Sequence, residues 1–396
     1  MLPLDGITVV TLEQAVAAPF ASRQLADLGA RVIKIERPGA GDFARGYDRT
    51  VRGLSSHFVW LNRSKESLAL DLKRPEAQDV LGRLLGRADV FLQNLAPGSA
   101  KRLGLEHESL RRRFPRLIVC RISGYGPVGP YRAKKAYDLL IQAETGLVSI
   151  TGTEATPSKV GISVADIAAG MYAYSGILTA LIVRAKTSEG TFIDVSLFDA
   201  LAEWMGYPLY FAKYGGSAPR RTGASHATIA PYGPFQAGDG TLIYLAVQNE
   251  REWVRFCDEV LRRPALALSP AFGSNTARIA NRDQVESIVN EAFGALSAGE
   301  ILNRLERADI AHTRMNTMQE FMAHPQLEHR WGRVSSSVGP LDVLMPPVSI
   351  EDTSVALGPV PDVGQHTNAI LGELGYDVPT IERWRTLGLF GRRSGT

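Results

Sequence analysis

The sequence predicts an α/β chain that opens on a doubly wound parallel sheet and continues into a second domain. Three observations predict it. Strand-like and helix-like runs alternate through the first third. A Gly- and Pro-rich stretch from Tyr214 to Gly240 then breaks the alternation, and a second such stretch, Val338 to Asp362, reads as a long extended return.

In order, Ile7 to Leu12 is β-branched and strand-like, Pro19 to Leu28 has helix-forming composition with Pro in the first turn, and Ala30 to Glu36 is again strand-like. That order implies a parallel pair joined by a helix. Further strands are predicted at Ser67 to Leu72, Asp89 to Gln93 and Leu117 to Ser123, with a helix over Glu76 to Arg87. Ile167 to Val183 runs 17 residues without a charge. This is the short limit for a membrane span, it carries Gly, Ser and two Tyr, and the reading is a buried core helix. Thr191 to Val195 follows as a strand and Phe198 to Phe211 as one helix. The second domain is expected to contain a strand at Leu242 to Val247 and helices near Glu250 to Leu261, Gln284 to Phe293 and Ala298 to Ala308. The last of these starts at a Ser297/Glu300 capping box. A last short helix, Thr367 to Leu374, stops at Gly375.

The chain has 396 residues, 45% hydrophobic and 21% charged, with a net charge of +3, so it can bury a sizeable core. The charge is too small to argue for nucleic acid or an anionic membrane as partner. Cys120 and Cys257 are the only cysteines, which excludes a disulfide framework and a four-Cys zinc site. The N-terminus has no secretory pattern, and the expected location is the cytoplasm.

Most catalytic signatures are absent: there is no G-x-G-x-x-G after the first strand, no Walker A sequence, no G-x-S-x-G and no H-E-x-x-H, and no metal site is expected. Asp166 is the most informative residue. It stands in Gly161-Ile162-Ser163-Val164-Ala165-Asp166 at the threshold of the apolar helix, where a carboxylate could cap free backbone N–H groups and stay ionised. Capping alone would explain it. The small Ala168, Ala169 and Gly170 behind it leave room for a bulky ligand, which favours a catalytic role.

The segments Leu25-Ala26-Asp27-Leu28-Gly29-Ala30, Ile35-Glu36-Arg37-Pro38-Gly39, Leu61-Asn62-Arg63-Ser64-Lys65, Lys135-Ala136-Tyr137-Asp138 and Gly364-Gln365-His366-Thr367, in this order, resemble the class III CoA-transferases, the CaiB/BaiF family. The resemblance runs from about residue 5 to about residue 385. It implies a large Rossmann-like domain over 1–213 and 332–396, a smaller α+β domain with linkers over 214–331, and two chains interlocked as a homodimer. It also implies that Asp166 is the nucleophile, attacking an acyl-CoA thioester to form an aspartyl anhydride and then an aspartyl-CoA thioester. No tightly bound cofactor is needed, since CoA and acyl-CoA are substrates.

By the same resemblance the CoA contacts are Val16, Ala17, Arg37, Lys73, Asn94, Leu95, Arg102, Lys135 and Tyr137, with Asn94 and Leu95 on the adenine side. Arg221 and His226, in a loop that resembles one entering the family's site, are expected to meet a second carboxylate of the acceptor. Racemase members carry His where this chain has Tyr137, and a phenol with pKa near 10 is a poor substitute for an imidazole in reversible proton transfer. The reading is therefore transfer of CoA from an acyl-CoA, succinyl-CoA first, to a C4 or C5 diacid such as itaconate, citramalate, malate or glutarate. The alternatives are an acyl-CoA epimerase and a non-catalytic CoA-binding protein.

Overall fold

The computed structural model describes residues 2–391, so Met1 and 392–396, the outer ends of the expected large domain, lie outside the described residues. The chain divides into two compact units: residues 1–145, 161–205 and 329–396 form the first, and 146–160 with 206–328 the second. The segments 146–160 and 206–213, expected in the large domain, thus belong to the second unit, and 329–331, expected in the small domain, to the first.

In the first unit six strands, β1 (Thr8–Leu12), β2 (Arg31–Glu36), β3 (Lys65–Ala69), β4 (Val90–Gln93), β5 (Ile118–Ser123) and β6 (Phe192–Ser196), form one sheet in the order β3-β2-β1-β4-β5-β6. Every pairing is parallel, with Val10 beside both Ile33 and Phe91. The order reverses between β1 and β4, so the connections that leave their C-terminal ends diverge and open a crevice. Period-two alternation sends Val10, Leu12, Ile33 and Ile35 to one face, where they pack with Val80, Leu84, Leu371 and Trp384. Thr11, Lys34 and Glu36 take the other face and are buried as well. The helices Ala17–Asp27 and Val164–Thr187 pack closely: a Cβ on Gly170 would lie 2.7 Å from the Ala17 carbonyl oxygen, so glycine is required there. By length and composition the second of these helices could cross a membrane, but its Ala168, Ala169, Ala173 and Ile177 are buried in the unit.

The motif Leu61 to Lys65 ties this unit together. Arg63 grips Asp27 with two bonds of 2.8 Å and donates to the Leu344 carbonyl at 2.9 Å, while Ser64 exchanges hydrogen bonds with the return segment at Ala356, Gly358 and Pro359. Lys65 reaches Glu13 at 2.7 Å. Gly364 to Thr367 covers the sheet edge: outward N–H groups of Ser67 and Ala69 on β3 donate to His366 Nδ1 and Thr367 Oγ1, both at 3.1 Å. An edge strand covered in this way cannot pair with another chain.

The helix predicted over Phe198 to Phe211 is two, Leu197–Trp204 and Gly206–Gly215, because Pro208 supplies no N–H and its ring would meet the Trp204 carbonyl. In the second unit β7 (Tyr232–Gln236), β8 (Leu242–Ala246) and β9 (Ala311–Arg314) form an antiparallel sheet with β8 central. Its core includes Phe235, Ile243, Trp253, Phe293 and Leu305. β7 escapes the sequence reading because Gly233 and Pro234 look like a turn; Pro is tolerated on an edge strand. The Val338 to Asp362 return contains β11 (Leu341–Leu344), which pairs with β10 (Trp331–Val334), and a further helix, Val378–Thr386, follows Gly375 with Asp377 as its cap. Ser297 does cap the helix Ala298–Arg307, accepting the Glu300 N–H at 3.3 Å.

Below the ends of β1 and β2 lies a buried charge cluster. Lys34 contacts Asp42 at 2.7 Å and Glu13 at 3.3 Å, Lys65 contacts Glu13 at 2.7 Å, and Arg45 contacts Glu36 at 2.7 Å. Burial alone would raise the Glu13 carboxyl, but Lys65 and Lys34 more than offset it and hold it below the usual range. Glu36, likewise buried but bonded to Arg45, is held at about 2. Glu13→Gln removes one charge from a closed set and leaves a buried lysine uncompensated. It should lower stability by about 3–5 kcal/mol, read as a shifted denaturant midpoint, whereas Glu66→Gln at the partly exposed Arg31 pair should cost less than about 1 kcal/mol.

Candidate active site

Asp166 lies in the first turn of the helix Val164–Thr187, whose cap position is Ser163, not Asp166. The terminal N–H groups go elsewhere: Asp138 Oδ1 accepts from Ala165 N–H at 2.8 Å and from Asp166 N–H at 3.4 Å, and Gln142 holds the other Asp138 oxygen at 2.7 Å. The expectation that the helix terminus keeps Asp166 strongly ionised is therefore corrected. Its residue surface is only partly covered, yet protein atoms crowd the carboxyl. This desolvation, with the Asp138 charge second, pushes it up to about 7. Tyr47 stands in the same field: burial, then Asp42, Asp166 and Tyr137, raise its phenol to about 12. Tyr47 and Asp138 stand around this candidate nucleophile and were not singled out from the sequence. Asp138 sits inside the Lys135-Ala136-Tyr137-Asp138 segment that carries the family resemblance, so a signal for it was present.

A cavity of about 980 Å³ opens over the C-terminal ends of β1, β2 and β3 and the chain after β4. Its floor is apolar, with Leu12, Ile35, Leu70, Leu72, Leu95 and Leu103, and its rim carries Arg37, Lys73, Arg74 and Arg102. Glu13, Glu36, Asp42 and Asp71 also line it; Glu13 and Asp42 are matched by buried lysines, Glu36 by the partly buried Arg45, and Asp71 pairs with Arg74 at 4.0 Å. The walls therefore present little uncompensated negative charge, and the rim cations set the local potential. Among the described residues Arg37, Lys73 and Arg102 have no carboxylate partner; Arg102 instead bonds Ser99 Oγ at 2.7 Å. An apolar floor with a cationic rim suits a nucleotide bearing several phosphates.

Of the residues expected to bind CoA, Arg37, Lys73, Leu95 and Arg102 thus share one cavity. Val16 and Ala17 are buried at the start of the helix Ala17–Asp27, Lys135 and Tyr137 lie outside the cavity lining, and Tyr137 is 67% exposed. Asn94 is not in the lining either; its amide is bonded in both directions to the Gln14 backbone. In the second unit Arg221 donates to the carbonyls of Thr153, Ser149 and Glu154 at 2.7–3.0 Å, so most of its fork is spent on backbone. His226 stacks on Tyr232, its Nδ1 accepts the Thr228 N–H at 3.2 Å, and burial with the Arg282 charge lowers its pKa. The sequence held no sign that Arg221 would be so engaged. Among the described residues no group of His, Cys, Asp and Glu is arranged to hold a metal.

The folded protein keeps the Asp166 proton up to about pH 7, whereas an unfolded chain releases it near pH 4. The native state therefore binds the extra proton between those values, and raising pH through this window destabilises it. Asp166→Asn should melt several degrees above the parent at pH 8, and the difference should close as pH falls toward 4. An NMR titration of the Asp166 carboxyl should show its midpoint near 7, moving down in Asp138→Asn.

The model of CoA-transferase family III matches residues 4–367. A human succinyl-CoA:glutarate CoA-transferase is 33% identical over 98% of this chain and 90% of its own length, and an Agrobacterium fabrum succinate–glutarate CoA-transferase is 34% identical over 97% and 98%. The crystal structure of a CaiB/BaiF family protein from Brucella suis superposes with a TM-score of 0.81 at 32% identity, covering 94% of this chain and 99% of that one. Matched along nearly all of its length in sequence and in fold, the chain belongs to CoA-transferase family III, the CaiB/BaiF family, and is an enzyme of the CoA-transferase type.

Proposed function

We propose that the protein moves CoA from succinyl-CoA to a dicarboxylate of four or five carbons, glutarate foremost, with itaconate, citramalate and malate as the other candidates. The observation that carries the chemistry is Asp166, a crowded carboxyl raised to about 7 beside Asp138. A carboxylate with that basicity is half ionised at neutral pH and more nucleophilic than an ordinary aspartate. Its oxygen attacks the thioester carbonyl, the C–S bond breaks, and CoA leaves as thiolate from an aspartyl acyl anhydride. The thiolate then attacks the aspartyl carbonyl, the donor acid leaves as carboxylate, and an aspartyl-CoA thioester remains. The acceptor carboxylate runs the two steps in reverse and restores Asp166. No net proton is consumed, and no metal or redox partner enters the balance.

In this reading the cavity over β1 to β3 takes the nucleotide end of CoA, with Arg37, Lys73 and Arg102 against its phosphates and Leu95 against adenine. Val16, Ala17, Lys135 and Tyr137 then belong to the path of the pantetheine toward Asp166. For the acceptor we retain His226 and give Arg221 the lesser part, since its donors already hold residues 149–154. The glutarate named for the human and Agrobacterium relatives supports a diacid acceptor. Two interlocked chains, working in the cytoplasm, complete the proposal; the exposed Met171, Tyr172, Ile182 and Val183 on the helix Val164–Thr187 support a partner chain.

A panel of acyl-CoA donors and carboxylate acceptors read by mass spectrometry tests this. Succinyl-CoA with glutarate should give glutaryl-CoA, hydroxylamine should trap Asp166 as a hydroxamate, and Asp166→Ala should lose at least about a thousand-fold in turnover. No deuterium should enter the α-carbon in heavy water. The kcat/KM profile should rise through an acid limb near pH 7, since the ionised form reacts, and Asp138→Asn should move that limb to lower pH. Ordinary turnover in Asp166→Ala would refute the mechanism.

A further inference from the structure

The crevice between β1 and β4 is where nucleotide-binding sheets of this order usually carry a glycine turn. Here the turn reads Glu13-Gln14-Ala15-Val16, and Ala15 takes φ 61°, a left-handed conformation unfavourable for an L residue and sustained only by its surroundings. Two side chains hold it. From the end of β4, Asn94 closes a reciprocal pair: Gln14 N–H donates to Asn94 Oδ1 at 2.9 Å, and Asn94 Nδ2 donates to Gln14 O at 2.9 Å. This extends the β1–β4 ladder past the point where the backbones part, since Leu12 and Gln93 are its last backbone partners. From the loop after β2, Asp42 Oδ1 accepts Ala15 N–H at 3.1 Å while its other oxygen is fixed on Lys34 at 2.7 Å.

The turn matters at both ends. Gln14 lines the cavity, and Ala17, three residues on, packs against Gly170 one helical turn beyond Asp166. We propose that Asn94 is a positioning residue that staples the turn 13–16 across the sheet reversal and so fixes the distance between the CoA cavity and Asp166, and that its side chain does not read adenine. An amide with an acceptor and a donor already spent on Gln14 has little left for a base, and Asn94 is not among the residues that line the cavity. The inference rests on the transferase reading above for the reaction it tunes.

The test compares the parent with Asn94→Ala and Asn94→Asp. Turnover is measured with succinyl-CoA and glutarate, CoA affinity by calorimetry, and backbone order by amide hydrogen exchange, with thermal melting to verify folding. Asn94→Ala should lose about ten- to a hundred-fold in kcat, as expected for a small displacement of reacting groups. Its Kd for CoA should stay within about two-fold, and exchange across 13–17 should accelerate. Asn94→Asp keeps the acceptor for Gln14 N–H and should fall between. Undiminished kcat, a Kd for CoA weakened in proportion to the rate, or unchanged exchange across 13–17 would each overturn the assignment. A parent enzyme that transfers CoA to no acceptor refutes the functional reading instead, and affinity and exchange still decide the role of Asn94.

Discussion

Six charged side chains beside one another at the end of the sheet, five of them buried and Arg45 partly so, constrain much else in the first unit. Glu13 leaves β1, Lys34 and Glu36 belong to β2, Asp42 and Arg45 come from the loop that follows, and Lys65 begins β3. Three carboxylates and three cations cancel, and each position is set by the others because a displaced member would leave a partner charged and dry. A cluster of this kind adds less to stability than well-packed apolar groups of the same volume. What it supplies here is geometry. It forces the segments after β1 and β2 to stand where the crevice opens, and it neutralises acidic walls that would otherwise repel an anionic ligand.

The same division of work appears around Asp166. Helix capping, which an aspartate in the first turn commonly performs, is done from outside by Asp138. Asp166 is thereby released from the N–H groups that would hold its charge, and its carboxyl sits in a crowded field beside a like charge. A carboxyl with so little to hold its charge sits at a disadvantage to stability, a pattern common at functional sites. The helix bears that cost because its small residues, Gly170 above all, let it seat tightly on the helix Ala17–Asp27.

The parallel sheet was readable because buried β-branched runs such as Ile7 to Leu12 and Ala30 to Glu36 are local signals, and so was the apolar run behind Asp166. Two of the elements that differ from the sequence expectation turn on a proline. Pro208 and Pro234 have opposite meanings, a helix break and an edge strand, and only the neighbouring chain decides which. The helix after Gly375 carried a local start signal in Asp377 and Pro379 and went unread only because the glycine looked like an end.

For the site, position and residue type made Asp166 a candidate, and of the CoA contacts that the family resemblance implied, Arg37, Lys73, Leu95 and Arg102 line one cavity, since chemical identity is written in the sequence. What each polar side chain does with its hydrogen bonds is not written there. Asn94 and Arg221 look free in the sequence and are engaged in the fold, and Lys34 and Lys65, which look like surface lysines, are buried beside acids. The pKa of Asp166 was likewise decided by tertiary structure. Desolvation and the Asp138 charge act through space at a few ångströms, between residues 28 positions apart in the chain.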